Sequence, residues 1–146
     1  LSLRRQRQMC IRDRSVTLGS EATVDVFKSI DKAWAERDYE TLKSLISNEG
    51  NFTHDDNSVS TNADEFVAHI EAGYQESLQN GEEWGWVTNF AFSVKPTKSE
   101  TGDYANENGE WVCARFTGSN GDVYEEWYQI VEGKLVMWSS AKRENK

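Results

Sequence analysis

The sequence predicts an α+β domain in which helices come first and an antiparallel sheet follows. Two observations carry this prediction. Before residue 82, apolar side chains recur every three or four residues, which is the period of an amphipathic helix. After it they alternate with polar ones, which is the period of a strand, and turn signals separate the alternating stretches. Helices followed by a run of hairpin-connected strands are typical of the α+β class.

Three helices are predicted in the first half of the chain. The first spans residues 21–37 behind Ser20, a favourable N-cap. A short second helix spans 39–47, and a third spans about 63–79, with a short strand at 51–54 between them. Each helix carries one apolar stripe. The stripes consist of Val24, Phe27, Ile30 and Trp34; of Leu42, Leu45 and Ile46; and of Phe66, Val67, Ile70, Tyr74 and Leu78.

Four longer strands are predicted in the second half. The first begins at Trp84, and the others span residues 110–118, 123–131 and 134–141. Asn120-Gly121 is a strong signal for a two-residue hairpin loop between the second and third of these strands. The chain therefore ends in an antiparallel meander.

A two-residue loop determines which side chains share a face of the sheet. It sets Ser119 opposite Asp122, and therefore Ala114 opposite Trp127. One predicted face carries Val112, Ala114, Phe116, Glu125, Trp127, Gln129, Val136, Trp138 and Ser140. The other carries Trp111, Cys113, Arg115, Tyr124, Glu126, Tyr128, Ile130, Leu135 and Met137. Both are rich in aromatic residues, so we expect one to pack on the helices and the other to be covered by a second subunit. A slip of one residue would exchange them.

The amino-acid composition limits the kinds of partner that we expect the protein to bind. The chain has 146 residues, a formal net charge of −9 and 37% hydrophobic residues, which suits one domain with its own core. An acidic balance argues against binding to nucleic acid. No stretch approaches the 18 apolar residues of a membrane span. We expect a cytoplasmic protein, with export left open because the native start is not assured.

The first fourteen residues differ from the rest. They carry five arginines, and the other 132 residues carry three. The string resembles a translated sequencing-adaptor peptide, and the alternative is a natural basic arm. We predict a non-native or disordered basic tail at 1–14 and one domain at 15–146. That domain has 11 basic and 24 acidic residues, a formal net charge of −13, and one cysteine, Cys113, hence no internal disulfide.

Three segments resemble the nuclear transport factor 2-like superfamily, and its SnoaL-like branch in particular. They are residues 34–47 (WAERDYETLKSLIS), 62–74 (NADEFVAHIEAGY) and 125–140 (EEWYQIVEGKLVMWSS). The resemblance implies a cone-shaped barrel, in which three N-terminal helices pack in a curved antiparallel sheet and leave a pocket at the open end. Members include ketosteroid isomerase, polyketide cyclases and scytalone dehydratase, alongside many without known activity. Dimers built on the outer sheet face are common among them.

The resemblance also implies where catalytic groups would lie. The isomerase-like members have a general base at the end of the first strand, where this chain has His54 close to Asp56. Imidazole titrates near neutrality, so an oriented His54 is suited to proton transfer. The isomerase acid falls at Glu125 or Glu126, depending on the register. At the isomerase tyrosine the chain has Ile30, which offers an enolate no hydrogen-bond donor. The catalytic candidates are His54, Asp56 and Glu125.

The tryptophan content indicates a ligand pocket. Six tryptophans exceed what packing needs in so small a domain, and an indole joins an apolar body to one donor, which suits a flat or apolar ligand. The expected lining residues are Trp34, Phe66, Ile70, Tyr74, Phe116, Trp127, Gln129 and Trp138, which could alternatively be core alone. The histidines and acids lack the spacing of a metal site, so we expect neither metal nor cofactor.

Three functions stay open on the sequence. The first is a domain that binds a small apolar or aromatic molecule in its cone. The second is a proton-transfer enzyme, an isomerase, cyclase or dehydratase, with His54 as general base. The third is a dimeric interaction module without a ligand. An enzyme would place His54 within hydrogen-bond reach of a carboxylate in a closed pocket, whereas the third function predicts a filled cone.

Overall fold

The computed structural model describes residues 16–96 and 109–146, and the predicted basic tail at 1–14 lies outside these residues. In the described ranges the chain forms three helices and seven strands. In chain order they are β1 (Val16–Leu18), α1 (Glu21–Glu36), α2 (Tyr39–Ser44), β2 (Ile46–Thr53), β3 (Val59–Ser60), α3 (Ala63–Asn80), β4 (Trp86–Pro96), β5 (Glu110–Gly118), β6 (Val123–Val131) and β7 (Lys134–Arg143). None of the helices in these ranges combines the length and the apolar character that crossing a bilayer requires.

The start of α1 and the end of α3 carry residues suited to capping. The Ser20 side chain accepts a hydrogen bond from the Thr23 backbone N–H at the start of α1, as predicted. Helix α3 ends at Gly81, whose φ of 70° lies in the left-handed region that glycine tolerates. Helix α2 is shorter than the predicted 39–47, because Ile46 leaves the helix and pairs with Leu135 of β7. Strand β2 consequently begins well before residue 51.

The strands form one curved sheet in the order β1-β4-β5-β6-β7-β2-β3. Neighbouring strands are antiparallel except β2 and β7, which run parallel. The α+β class with helices packed in a curved sheet is confirmed, with this one parallel pair in an otherwise antiparallel arrangement. A parallel pair needs a long crossover, and the chain from β3 to β6 supplies it.

The core lies between the helices and the inner face of β5, β6 and β7. Phe27 of α1 packs edge-on against Tyr128 of β6, with ring centroids 5.0 Å apart. Phe66 of α3 makes similar contacts with Trp34 and Trp138, each at 5.2 Å. The predicted stripe residues Ile30 and Phe66 are fully buried.

The loop between β5 and β6 has three residues, and this corrects the predicted register. The backbone N–H of Gly118 donates to the carbonyl of Asp122 at 2.8 Å, so the loop runs from Ser119 to Gly121. Gly121 has a φ of 85°, and a glycine in this region closes a three-residue hairpin loop as readily as a two-residue one. Ala114 therefore lies opposite Glu126 and not opposite Trp127.

The shift exchanges the faces of β6. Tyr128 and Glu126 point inward, and Glu126 is only 7% exposed. Trp127 and Glu125, predicted to face the helices, lie on the outer face, where Trp127 is 42% exposed. Trp138 stays on the inner face as predicted, because a bulge after Gln129 shifts the β6–β7 register as well and pairs Trp138 with Tyr128.

The outer sheet face is aromatic and exposed. Phe90 and Phe92 stack with ring centroids 5.9 Å apart, and the Arg115 guanidinium lies 5.5 Å from the Phe90 ring centroid. Both phenylalanines and Trp127 are more than 40% exposed. A second subunit covering this face stays a prediction.

We expect Phe92→Glu to convert a dimer into a monomer, because the new carboxylate would be buried without a partner in an apolar interface. Light scattering coupled to size-exclusion chromatography measures the mass. Leu78→Glu on α3 is the control, since Leu78 is also exposed but lies away from the sheet face. A wild-type protein that is monomeric at high micromolar concentration would contradict the expected homodimer.

Candidate functional site

A cavity of about 200 Å³ lies between α1, the segment that follows α3, and the inner face of β4 to β6. Its aromatic lining consists of Trp34, Trp84, Trp86, Phe116, Tyr124 and Tyr128. Its charged lining consists of Asp31, Glu82, Glu83 and Glu126. Ser77, Gly85, Gly118, Ser119 and Asn120 complete it. The site therefore combines apolar walls with carboxyl groups, and every charged side chain among its described lining residues is acidic.

The aromatic walls meet at steep angles. Trp86 lies edge-on to Trp34 at 76°, to Trp84 at 81° and to Phe116 at 85°. Such edge-to-face contacts are the favoured geometry of aromatic pairs and hold the rings in place. The indole Nε1 of Trp84 is buried and has no hydrogen-bond partner among residues 16–96 and 109–146. The aromatic side chains that form the cavity walls are thus held in place by one another, and the indole N–H of Trp84 has no hydrogen-bond partner among the described residues.

Glu126 is the buried acid of this cavity. Its Oε2 accepts hydrogen bonds from the Tyr128 hydroxyl and from Nε1 of Trp138, the latter at 3.2 Å. Its Oε1 accepts from the Ser140 hydroxyl at 3.0 Å. Burial raises the pKa of Glu126 to about 7, and the nearby charge of Asp31 adds to this, against three hydrogen bonds that lower it. Glu126 therefore changes its charge near neutral pH.

Asp31 supplies a second carboxyl from α1. Its Oδ1 accepts from Nε1 of Trp86 at 2.8 Å, and its Oδ2 accepts from the Thr88 hydroxyl at 3.3 Å. Partial burial raises the pKa of Asp31, and the two hydrogen bonds lower it. Two carboxyls in one cavity disfavour their joint ionisation. The carboxyls of Asp31 and Glu126 are therefore suited to sharing a proton or to binding a positively charged group.

The tyrosines of the cavity stay protonated at neutral pH. Burial raises the pKa of Tyr124 to about 12. Burial and the neighbouring Glu126 carboxylate raise the pKa of Tyr128 well above its ordinary value. Both hydroxyls therefore act as hydrogen-bonding groups and not as bases.

The structure does not bring His54 into this cavity. The ring is buried, its Nε2 is hydrogen-bonded to Oγ of Ser60 at 2.8 Å, and it stacks on His69 with centroids 3.6 Å apart. Burial lowers the pKa of His54 to about 4, and His69 lowers it further against the raising effect of nearby aspartates. Trp138 contacts His54 through its ring, at 5.2 Å, and Glu126 through its Nε1. His54 is thus a neutral core group that lies outside the cavity lining.

The other two predicted catalytic residues lie apart from the cavity. Asp56 sits in the turn between β2 and β3, where its Oδ1 accepts from the Ser58 backbone N–H at 2.8 Å. Glu125 lies on the outer face and forms an ion pair with Arg115. Glu126, the alternative that the register left open, is the acid that faces inward.

Two of the eight predicted lining residues, Trp34 and Phe116, line the cavity. Tyr74 packs edge-on against the lining residue Trp84 at 5.4 Å and carries the Arg37 guanidinium over its ring at 3.8 Å. The remaining five residues lie elsewhere: Phe66, Ile70 and Trp138 in the core, Gln129 fully buried outside the lining, and Trp127 on the outer face.

Sequence reasoning missed Asp31, although a signal was present. Asp31 stands three residues before Trp34 on α1, and residues three apart share a helix face. A carboxylate beside the apolar stripe is unusual enough to mark a polar site. Trp84 and Trp86 also line the cavity and were not predicted to do so, because no local signal places the segment after α3 against the sheet.

No protein-family model matches this sequence, and neither does any curated protein. Solved structures do share its fold. The chain is similar to a SnoaL-like protein of unknown function from Burkholderia thailandensis, with 8% identity, a TM-score of 0.63, and coverage of 87% of this chain and 98% of that one. It is also similar to a nuclear transport factor 2-like protein from Cytophaga hutchinsonii, with 13% identity, a TM-score of 0.56, and coverage of 84% and 97%.

A third similar structure, from Kribbella flavida, is provisionally described as a ketosteroid isomerase. It shares 9% identity with this chain at a TM-score of 0.55, with coverage of 88% of this chain and 83% of that one. At these identities the likeness concerns the fold. The chain has the nuclear transport factor 2-like fold, which confirms the fold that the resemblance in the sequence implies.

The Glu126 carboxyl makes folding stability depend on pH. The folded protein keeps this proton up to about pH 7, whereas the unfolded chain loses it near the ordinary pKa of 4.5. Stability therefore falls as pH rises between these values, by roughly 3 kcal/mol. The side chain in Glu126→Gln is neutral at every pH. We therefore expect the free energy of unfolding of this variant, relative to wild type, to rise by that amount between pH 5 and 8, as measured by urea unfolding.

Glu125→Gln is the control, because Glu125 is exposed on the outer face and its variant should follow wild type at each pH. His54 acts in the opposite direction, since its lowered pKa makes stability rise between about pH 4 and 6.5. Its contribution is present in all three proteins and cancels in the difference. If the difference in unfolding free energy between Glu126→Gln and wild type does not change with pH, the burial of an acid at this position is contradicted.

Proposed function

We propose that this protein binds a small molecule with a flat or apolar body in the cavity, where Glu126 and Asp31 meet the polar group of the ligand. The observation that carries the proposal is a buried carboxyl facing a space walled by six aromatic side chains. A few polar groups converging in a largely apolar pocket are typical of a binding site. Burying the carboxyl of Glu126 costs folding free energy, and packing alone does not require a carboxyl at this position.

The volume suits a compact ligand. A protein cavity of about 150 Å³ can hold benzene, so about 200 Å³ gives room for one substituted ring. The space also argues against an interaction module without a ligand, because that function predicts a cone filled by side chains. The unused indole donor of Trp84 is available to a ligand only after a small movement, since it is buried.

We expect ring compounds that raise the melting temperature of wild type to lose about tenfold or more in affinity for Trp84→Ala, because one wall of the cavity is gone. Thermal-shift screening of a metabolite library identifies the compounds, and isothermal calorimetry measures the affinities. A ligand at 100 times its Kd stabilises the folded state by about 2.7 kcal/mol.

Trp127→Ala is the matched control, since it removes the same side chain from the outer face. It should retain wild-type affinity. Circular dichroism checks that both variants are folded. Equal losses in the two variants, or a library without a single stabilising compound, would contradict binding in the cavity.

A second candidate function, proton transfer, is favoured by one specific observation. Glu126 is a buried acid with a pKa of about 7 inside the cavity, and a general acid or base works best with a pKa near the working pH. In this mechanism Glu126 is the general base, the role that the family resemblance implied for His54. The similar structure from Kribbella flavida that is provisionally described as an isomerase is consistent with this chemistry.

If Glu126 transfers protons, the protein should catalyse hydrogen–deuterium exchange in a ketone substrate, at the carbon atom next to the carbonyl group. The rate should change with a midpoint near pH 7 and fall at least a hundredfold in Glu126→Gln, with Glu125→Gln unchanged. Mass spectrometry of a panel of cyclic ketones in D₂O measures the exchange. Rates equal to those of the buffer alone would leave binding as the function.

A further inference from the structure

The charged residues that line the cavity are all acidic. They come from three different places: Asp31 from α1, Glu82 and Glu83 from the segment after α3, and Glu126 from β6. None of the described lining residues is a lysine, an arginine or a histidine. Charges of one sign in a cleft with low-dielectric walls concentrate ligands of the opposite sign.

Two basic side chains of the described residues lie close to the lining and are already engaged. Lys142 lies opposite Tyr124 in the sheet but forms an ion pair with Asp55 at 3.6 Å. Arg37 lies over the ring of Tyr74, at 3.8 Å, outside the lining. Residues 16–96 and 109–146 therefore supply no counter-charge within the cavity, and a positive charge on a ligand would stabilise the ionised form of Glu126.

The walls suit a cation as well. Aromatic rings attract a cation that lies over their faces, and several rings set at steep angles form a cage around it. Trp86 stands at such an angle both to Trp34 and to Trp84. An inorganic ion would need several oxygen ligands, and the described residues contain no group of three or more metal-ligating side chains.

We propose that the cavity selects an organic cation, a tertiary or quaternary ammonium group on a small aromatic or apolar body. Asp31 and Glu126 supply the opposite charge, and the tryptophan walls contact the methyl groups and the ring. This inference rests on the proposed binding function and names the class of its ligand.

Two probes of the same shape and different charge test it. Phenyltrimethylammonium is a permanent cation, and tert-butylbenzene is its neutral counterpart. We expect the cation to bind at least tenfold more tightly to the wild-type protein, as measured by calorimetry or by ligand-detected NMR. Glu126→Gln should lower the affinity for the cation about tenfold and leave that of the neutral probe unchanged. Glu125→Gln should change neither.

A second measurement needs no variant. The cation should bind more tightly at pH 8 than at pH 5.5 and release protons, because it favours the ionised form of Glu126. The titratable groups that face Glu126 are Asp31, Tyr124 and Tyr128, with Glu82 and Glu83 at the rim. The tyrosines stay protonated throughout this range. Calorimetry in buffers of different ionisation enthalpy counts the protons released.

The outcomes separate the inference from the function on which it rests. If the neutral probe binds as tightly as the cation, or if Glu125→Gln weakens the cation as much as Glu126→Gln does, the inference is overturned and binding in the cavity stands. Binding of the cation without any dependence on pH also overturns it. If neither probe binds and Trp84→Ala and Trp127→Ala behave alike toward every library compound, the proposed function is overturned too.

Discussion

The carboxyl of Glu126 is buried with no positive charge beside it among the described residues, and much of the structure is arranged around that fact. Three donors hold its oxygens: Tyr128 on the same strand, and Trp138 and Ser140 on β7. These bonds fix the relative positions of β6 and β7 at the floor of the cavity. They do not compensate fully for the loss of water, so burial still raises the pKa of Glu126 to about 7.

The inward direction of Glu126 depends on one extra residue in the loop between β5 and β6. With a two-residue loop, Glu125 and Trp127 would face the helices. Asn120-Gly121 suits loops of both lengths, because each needs a residue in the left-handed conformation. A hydrophobic pattern usually arbitrates such a choice. Here it could not, since both faces of the sheet carry aromatic side chains, with Phe90 and Phe92 on the outer one.

The helices were predictable because their signals are local. The stripes of α1 and α3 and the capping residue Ser20 all lie within a few turns of the chain. The full length of β2 and its parallel pairing with β7 were not, because that pairing joins residues about ninety positions apart. Local periodicity carries no information about such a contact.

A cavity lined by tryptophans could be predicted from the sequence, but most of the residues that line it could not. The number of tryptophans indicated a pocket, but only three of the six line it. Trp138 lies in the core, while Trp127 and Trp111 contact each other with ring centroids 6.4 Å apart on the outer face. The fold resemblance implied a catalytic role for His54, which is a neutral group hydrogen-bonded to Ser60. In this chain the cavity carboxyls come instead from α1 and β6.

The most direct test of this account is the ionisation of Glu126 itself. Selective ¹³C labelling of glutamate and an NMR titration report the carboxyl carbon, and the Glu126→Gln variant identifies its signal. The account predicts a midpoint near pH 7 for Glu126 in the free protein. A midpoint at the ordinary value near 4.5 would show a solvated carboxylate and would contradict the inward-facing acid on which the cavity and its proposed ligand both depend.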